Sequence, residues 1–559
     1  MSGQVVKKVV VAGGGTAGWM AAAALSKQLG PLLDITLVES DDIGTVGVGE
    51  STIPTARTFN ALLGIDEAEF MKATQSTFKL GISFENWGEI GDRYIHSFGQ
   101  IGKSTWMGGF HHFWLQAKAE GFGGDLGDYC FELKAALQDK FFTDANASIN
   151  YAYHLDATLY GRYLRKLSEG KGVRRVEGKI ASIRQRAEDG FIEALVMESG
   201  EVVEGDLFID CTGFRGMLIE QTLKSGWDDW SRWLPTNSAM AVQTTSTEPA
   251  VPYTRAIAHK AGWRWKIPLQ HRVGNGLVYC TDYMSDDEAR AMLLGEIEGE
   301  PLIEPRVIRY QAGRRRKTWN KNCIALGLAS GFLEPLESTS IHMIMIGVTR
   351  LMQLFPFGGF NDAVIDRYNV LADDELQKIR DFIILHYKAT ERTDSPFWDY
   401  CRTMDVPDSL AHRLDLFRES AQVYQSPGEL FQVDSWLQVM LGQRVEPRSH
   451  HHMGRMMPPA QLRRALDDLK GNIARAVRGE RIGTLVSDQN RSTSPPLTGS
   501  GMSYFCNGIR SARPVSRARS NDTWTRGTPL SSSASGVGGN ASKTGVPTSS
   551  SRLRPTVSR

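Results

Sequence analysis

Apolar positions along this chain follow two rhythms. Residues 6–12, VKKVVVA, form the short apolar run of a buried parallel strand, and residues 17–29, AGWMAAAALSKQL, carry apolar side chains at helical spacing. A second strand-like run, DITLVE at 34–39, follows, so the first 40 residues predict one βαβ unit. Residues 181–214 read as short alternating strands broken by glycines, ending in Asp210-Cys211-Thr212-Gly213, and strand signals continue to GWRWKIP at 262–268. A long helix is predicted over IHMIMIGVTRLMQLF, 341–355. Between about 360 and 480 the segments are mostly amphipathic helices with charge at the surface, such as DDELQKIRDFIILHY and PAQLRRALDDLKGNIARAV. The pattern predicts an α/β fold in three stretches: an interwoven 1–359 core with a mixed β-sheet region, a helical subdomain over 360–484, and a tail over 485–559.

The tail is rich in Ser, Thr, Gly, Pro and Arg and cannot bury enough apolar surface to offset its ordering entropy, so it is expected to be disordered. The rest can build a sizeable core: 41% of the chain is hydrophobic and 23% charged. A net charge of +1 gives no global attraction to nucleic acid or an anionic membrane, and neither is expected as a partner. Six cysteines are scattered without a CxxC pair, indicating neither a disulfide framework nor a zinc site. With no apolar stretch of about 18 residues, a soluble cytoplasmic protein is expected. His450, His451 and His452 are adjacent, a poor arrangement for chelating one ion, so no metal is expected.

Gly13, Gly14, Gly15, Thr16, Ala17 and Gly18 fit GxGxxG between a predicted strand and helix. Missing side chains there permit a tight turn and let a pyrophosphate approach the helix N-terminus, whose free N–H groups favour anions. Glu39 closes the second strand, where a carboxylate can accept a ribose hydroxyl. Trp263 and Trp265 are two apart, so on a strand both indoles project from one face, either as core filling or as a partition.

These features, together with VGVGESTIPT at 46–55, TFKLGISFENW at 77–87, LFIDCTGFRGMLI at 207–219 and FLEPLESTSI at 332–341, resemble the flavin-dependent halogenases of the tryptophan-halogenase family over roughly residues 5 to 480. The resemblance implies a Rossmann-like FAD-binding domain of the flavin monooxygenase type. It also implies FADH2 from a separate flavin reductase, chloride or bromide oxidised to hypohalous acid at the flavin, and a small aromatic substrate halogenated elsewhere in the protein. Lys79 matches the family's catalytic lysine, as an ammonium that polarises hypohalous acid or an amine that forms a haloamine. Glu337 matches a glutamate at the substrate that stabilises the arenium ion or removes its proton. Thr339 and Ser340 match the halide site. Glu50, Ser51, Leu328 and Ile341 fall where the family lines the isoalloxazine or its linker. Trp263 and Trp265 match the wall between flavin and substrate, and His96 and Phe98 a substrate-contacting pair. The expected assembly is a dimer.

Two departures stand out. The family pattern more often has glycine at Ser340, which leaves the choice between chloride and bromide open. Tryptophan-specific members grip the amino acid backbone with paired tyrosines in a C-terminal aromatic and acidic segment, whereas this chain reads SPGELFQVDSWLQVMLGQ, with Ser435-Trp436 near the tyrosine positions. An indole-type substrate other than free tryptophan is therefore expected. The competing readings are an aromatic hydroxylase, which needs no Lys79, and a flavin-binding protein without catalysis.

Overall fold

In the computed structural model, which describes residues 5–44, 49–106, 108–142 and 149–479, three sheets carry the features singled out above. The 485–559 tail lies outside the described residues, as do residues 46–48 of the VGVGEST motif.

The first βαβ unit forms as its pattern predicts: strand Lys8–Ala12, helix Thr16–Leu29, strand Asp34–Glu39. Lys8–Ala12 is the centre of a six-stranded sheet, parallel to Asp34–Glu39 on one side and to Leu207–Asp210 on the other. Both faces of such a strand are covered, which is why its sequence reads as a continuous valine run. Arg174–Glu177 extends one edge and Cys323–Ala325 with Trp319–Asn320 the other. The C-terminal ends of the central strands, at Ala12, Glu39 and Asp210, therefore share one edge of the sheet, where open α/β sheets bind ligands.

The second sheet has seven strands and contains GWRWKIP as strand Gly262–Pro268, flanked by Val273–Tyr279 and Thr254–His259. Thr254–His259 pairs parallel to Gly81–Glu85, which pairs antiparallel to Arg93–Ser97. A small third sheet sets Lys79: strand Thr77–Lys79 lies against Ala152–Leu155, with Lys79 opposite Ala152.

Helix Asp362–Lys388 ties these layers together. Tyr368 and Ala372 join the core beneath the parallel sheet, whereas Leu376, Ile379, Phe382, Ile383 and Tyr387 join the core beneath the seven-stranded sheet. The surface-charge reading of this segment is corrected in part. Glu375, Arg380 and Asp381 are buried, Glu375 accepting from Arg350 at 2.7 Å and lying 3.2 Å from His342 Nε2, and Asp381 accepting from Arg380. Buried charges persist where such partners offset their desolvation. Among the described residues no helix is long and apolar enough to cross a membrane.

Close backbone approach fixes where Lys79 and His96 stand. At Gly81, two residues beyond Lys79, an added Cβ would lie 2.4 Å from the His96 carbonyl oxygen and 2.8 Å from Ser97 Cα. Gly81→Ala is expected to cost about 1–3 kcal/mol by forcing these strands apart, measured as a lower urea midpoint with an unchanged slope.

Candidate active site

A cavity of about 950 Å³ opens at the edge of the parallel sheet and runs to the seven-stranded sheet. One end of it is the glycine loop, with Gly13, Gly14, Gly15, Thr16, Ala17 and Glu39 in the lining. Gly13 adopts φ +108°, and a Cβ there would lie 2.4 Å from the Cys211 carbonyl oxygen. At Gly14 a Cβ would lie 1.5 Å from Glu39 Oε2, while Gly15 faces open space. Gly18 stands apart from the lining, and its missing side chain keeps helix Thr16–Leu29 clear of the Gly13 carbonyl, 1.9 Å from an added Cβ. Glu39 is already engaged by Arg175 at 2.6 Å and by the Trp19 indole at 3.3 Å, but a carboxylate retains acceptor capacity for a further hydroxyl.

At the other end the lining includes Glu50, Ser51, Trp263, Trp265, Leu328 and Ile341. The two indoles lie on one face of their strand, centroids 6.0 Å apart. They are not equivalent. Trp263 donates its N–H to Glu334 at 3.2 Å, whereas Trp265 Nε1 is buried without a partner. Trp265 lies across Gly276, where a Cβ would come within 2.0 Å of its ring. Glu50 is partly buried in the cavity wall, and desolvation there pushes its carboxyl up to about 7.

Segment 331–341 forms one side of this end. Thr339 and Ser340 line the cavity at the start of helix Ser340–Gln353, and first-turn amides have no acceptor within their own helix. Ser338, at φ +58°, also lines the cavity, and its hydroxyl accepts from Lys79 Nζ at 2.9 Å. Lys79 is wholly buried, donates also to the Thr52 carbonyl at 3.2 Å, and lies 5.2 Å from the centre of the Phe98 ring. Burial pushes its ammonium down to about 7, opposed by the charge of Glu337.

Lys79, His96, Phe98 and Glu337 are not part of the cavity lining. His96 Nδ1 lies 3.0 Å from each Glu337 oxygen, and His386 Nε2 lies 2.9 Å from Oε1, out of line for a hydrogen bond. Burial alone would raise the Glu337 carboxyl, but His96 and His386 hold it down at about 2. On its other side, His386 Nδ1 faces the Phe382 carbonyl at 2.9 Å, one turn back along the same helix. Around His96 stand Phe382 at 5.5 Å and Phe431 at 6.2 Å, the two phenyls stacked at 3.8 Å.

Nothing in the sequence pattern singles out His386, Glu334, Tyr387 or Ser338 as functional. The one trace of His386-Tyr387 is a polar pair closing an otherwise apolar helical run, FIILHY.

Known proteins place this arrangement among the flavin-dependent halogenases. Xcc4156, a flavin-dependent halogenase from Xanthomonas campestris, superposes with a TM-score of 0.84 at 54% identity, covering 85% of this chain and 96% of that one. BrvH, a flavin-dependent halogenase from Brevundimonas sp. BAL3, gives 0.82 at 43%, covering 85% and 97%. Tryptophan 7-halogenase RebH of Lentzea aerocolonigenes is 36% identical over 446 residues, 75% of this chain and 83% of that protein. The tryptophan halogenase family model matches residues 8–459, and the chain belongs to that family. It is an enzyme of the flavin-dependent halogenase class, and membership implies FAD as cofactor. The residues present fit such a group: a glycine cradle that a single Cβ would fill, and an orphaned Trp265 N–H in the cavity wall.

A lysine pKa of about 7 against 10.5 when unfolded means that the unfolded chain binds the extra proton between those values. Stability attributable to Lys79 therefore falls as pH drops from about 10.5 to about 7. Lys79→Met removes this proton uptake, so its stability relative to wild type should rise through that window and level off below it. Urea unfolding at a series of pH values reads this directly.

Proposed function

We propose that this protein is an FADH2-dependent halogenase of an electron-rich, indole-type arene, with hypohalous acid directed by Lys79 and the arene held on the Glu337 side. The observation that carries this reading is the Lys79–Ser338 contact: a buried amine reached through a residue that itself lines the cavity. Bound FAD, reduced by a separate flavin reductase, supplies with oxygen the oxidising power that converts chloride or bromide to hypohalous acid. The backbone amides at Thr339 and Ser340 hold the halide at the helix start, where unpaired N–H groups and the dipole favour an anion. Trp263 and Trp265 keep the arene from the cofactor. Lys79 receives hypohalous acid, and its pKa near 7 keeps both the ammonium and the amine accessible at neutral pH. Glu337 faces the positive charge that develops on the ring and accepts its proton, with His96 and His386 fixing the carboxylate and spreading its charge.

The arene side favours a substrate without a charged amino acid backbone. In segment 426–443 the carboxylate Glu429 is buried and committed to neighbours within the fold, accepting from Arg413 at 3.1 Å, the Trp436 indole at 3.0 Å and the Ser426 amide at 2.7 Å. Its charge is already paired with Arg413 rather than held ready for an ammonium. The stacked and buried Phe382 and Phe431 make their side of His96 apolar rather than charged.

With reductase, NADH, oxygen and halide, mass spectrometry should detect a halogen isotope pattern on indole-type substrates, with kcat/KM exceeding that for free tryptophan by at least about tenfold. Lys79→Ala should lower product formation by about a hundredfold or more, and Glu337→Gln by about tenfold to a hundredfold. Gain of one oxygen that survives Lys79→Ala would instead mark a hydroxylase.

A further inference from the structure

Glu334 lies three residues before Glu337 and has no part in the chemistry above. Its neighbours Leu333 and Pro335 line the cavity, but Glu334 turns away from it, its backbone at φ +73°. A glutamate rarely adopts this left-handed conformation, which persists only where surrounding contacts hold it. Those contacts are present. The Thr236 hydroxyl donates to Oε2 at 2.7 Å, the Trp263 indole to Oε1 at 3.2 Å, and the Tyr387 hydroxyl reaches both oxygens at 2.9 and 3.0 Å. Tyr310, which lines the cavity, donates in turn to Thr236 at 2.9 Å. The donors converge from the loop before strand Ser238–Thr244, from strand Gly262–Pro268 and from helix Asp362–Lys388.

Of the three side chains that donate to Glu334, Trp263 is the one that lines the cavity. Away from the cavity it packs on Trp87 at 6.4 Å, and Trp87 stands 6.1 Å from His386, the neighbour of Glu337. Trp263 thus links the cavity wall, through Trp87 and His386, to the Glu337 cluster. Packing alone fills space around an indole, whereas a directional acceptor also fixes the plane of the ring. We infer that Glu334 is a positioning residue that locks Trp263 in the cavity wall, and that this lock keeps hypohalous acid on the path to Lys79 rather than letting it escape. The inference rests on the proposed function.

The test compares wild type, Glu334→Gln, Trp263→Phe and the double variant, each supplied with FAD, reductase, NADH, oxygen and bromide. Halogenated indole and free hypohalous acid, trapped by monochlorodimedone, are measured together. Gln presents an N–H where the carboxylate accepted, so the ratio of halogenated indole to trapped hypohalous acid should fall about tenfold in Glu334→Gln. In the Trp263→Phe background, Glu334→Gln should change it no further. An unchanged ratio, or an equal fall in both backgrounds, overturns the inference. A second readout needs no turnover. In protein labelled with 5-fluorotryptophan, the resonance missing from Trp263→Phe identifies Trp263 among the 13 tryptophans. That resonance should shift and broaden in Glu334→Gln, and one that stays put overturns the lock. If Glu334→Gln does not fold, Thr236→Val and Tyr387→Phe each remove one donor and should displace the same resonance. Wild type that yields neither halogenated indole nor hypohalous acid would defeat the functional reading, while the fluorine resonance still decides the lock.

Discussion

The active region depends on one clamp. Glu334 and Glu337, three residues apart on segment 331–341, meet adjacent residues of helix Asp362–Lys388: Glu334 accepts from Tyr387, and Glu337 packs 2.9 Å from His386 while His96 faces it from strand Arg93–Ser97. Because the segment is held from behind, the faces of Leu333, Pro335, Leu336 and Ser338 are presented to the cavity in a fixed order. The same clamp sets Ser338 against Lys79 and delivers Thr339 and Ser340 to the start of their helix. Two buried carboxylates are costly to desolvate, and each is retained only because several partners converge on it. Burial raises both carboxyls, but their partners separate them: Glu334, surrounded by neutral donors, stays up at about 7, whereas Glu337, between two histidines, is brought down to about 2.

Much of the fold was legible in the sequence because its elements are locally determined. GWRWKIP and PAQLRRALDDLKGNIARAV match strand Gly262–Pro268 and helix Pro459–Val477 residue for residue, since their periodicities of two and about 3.6 are unbroken. The glycine loop was readable because only glycine tolerates the contacts at Gly13 and Gly14. Burial of charge in helix Asp362–Lys388 was not readable. Glu375, Arg380 and Asp381 look like solvated positions in sequence; the burial of Glu375 is made tolerable by Arg350, on a different helix, and that of Asp381 by its pairing with Arg380.

The candidate site was legible through its motifs and only partly through its contacts. Lys79, Glu337 and the tryptophan pair were found because they sit in distinctive segments. Their supporting partners were not, because His386 and Tyr387 reach Glu337 and Glu334 from about 50 residues away, with nothing in their spacing to announce it. The difference between Trp263 and Trp265 was equally hidden: strand alternation puts both indoles on one face but says nothing of which N–H finds an acceptor.

Helix Asp362–Lys388, which enters both cores, also imposes an order in time. Synthesis proceeds from the N-terminus, so the parallel sheet, the tryptophan strand and the segment carrying Glu334 and Glu337 all leave the ribosome before the residues that hold them. Until His386 and Tyr387 emerge, both carboxylates remain hydrated and the apolar undersides of both sheets lack their shared cover. The cavity wall carrying Glu334 therefore gains its full set of contacts only once helix Asp362–Lys388 has emerged, after every strand of both sheets.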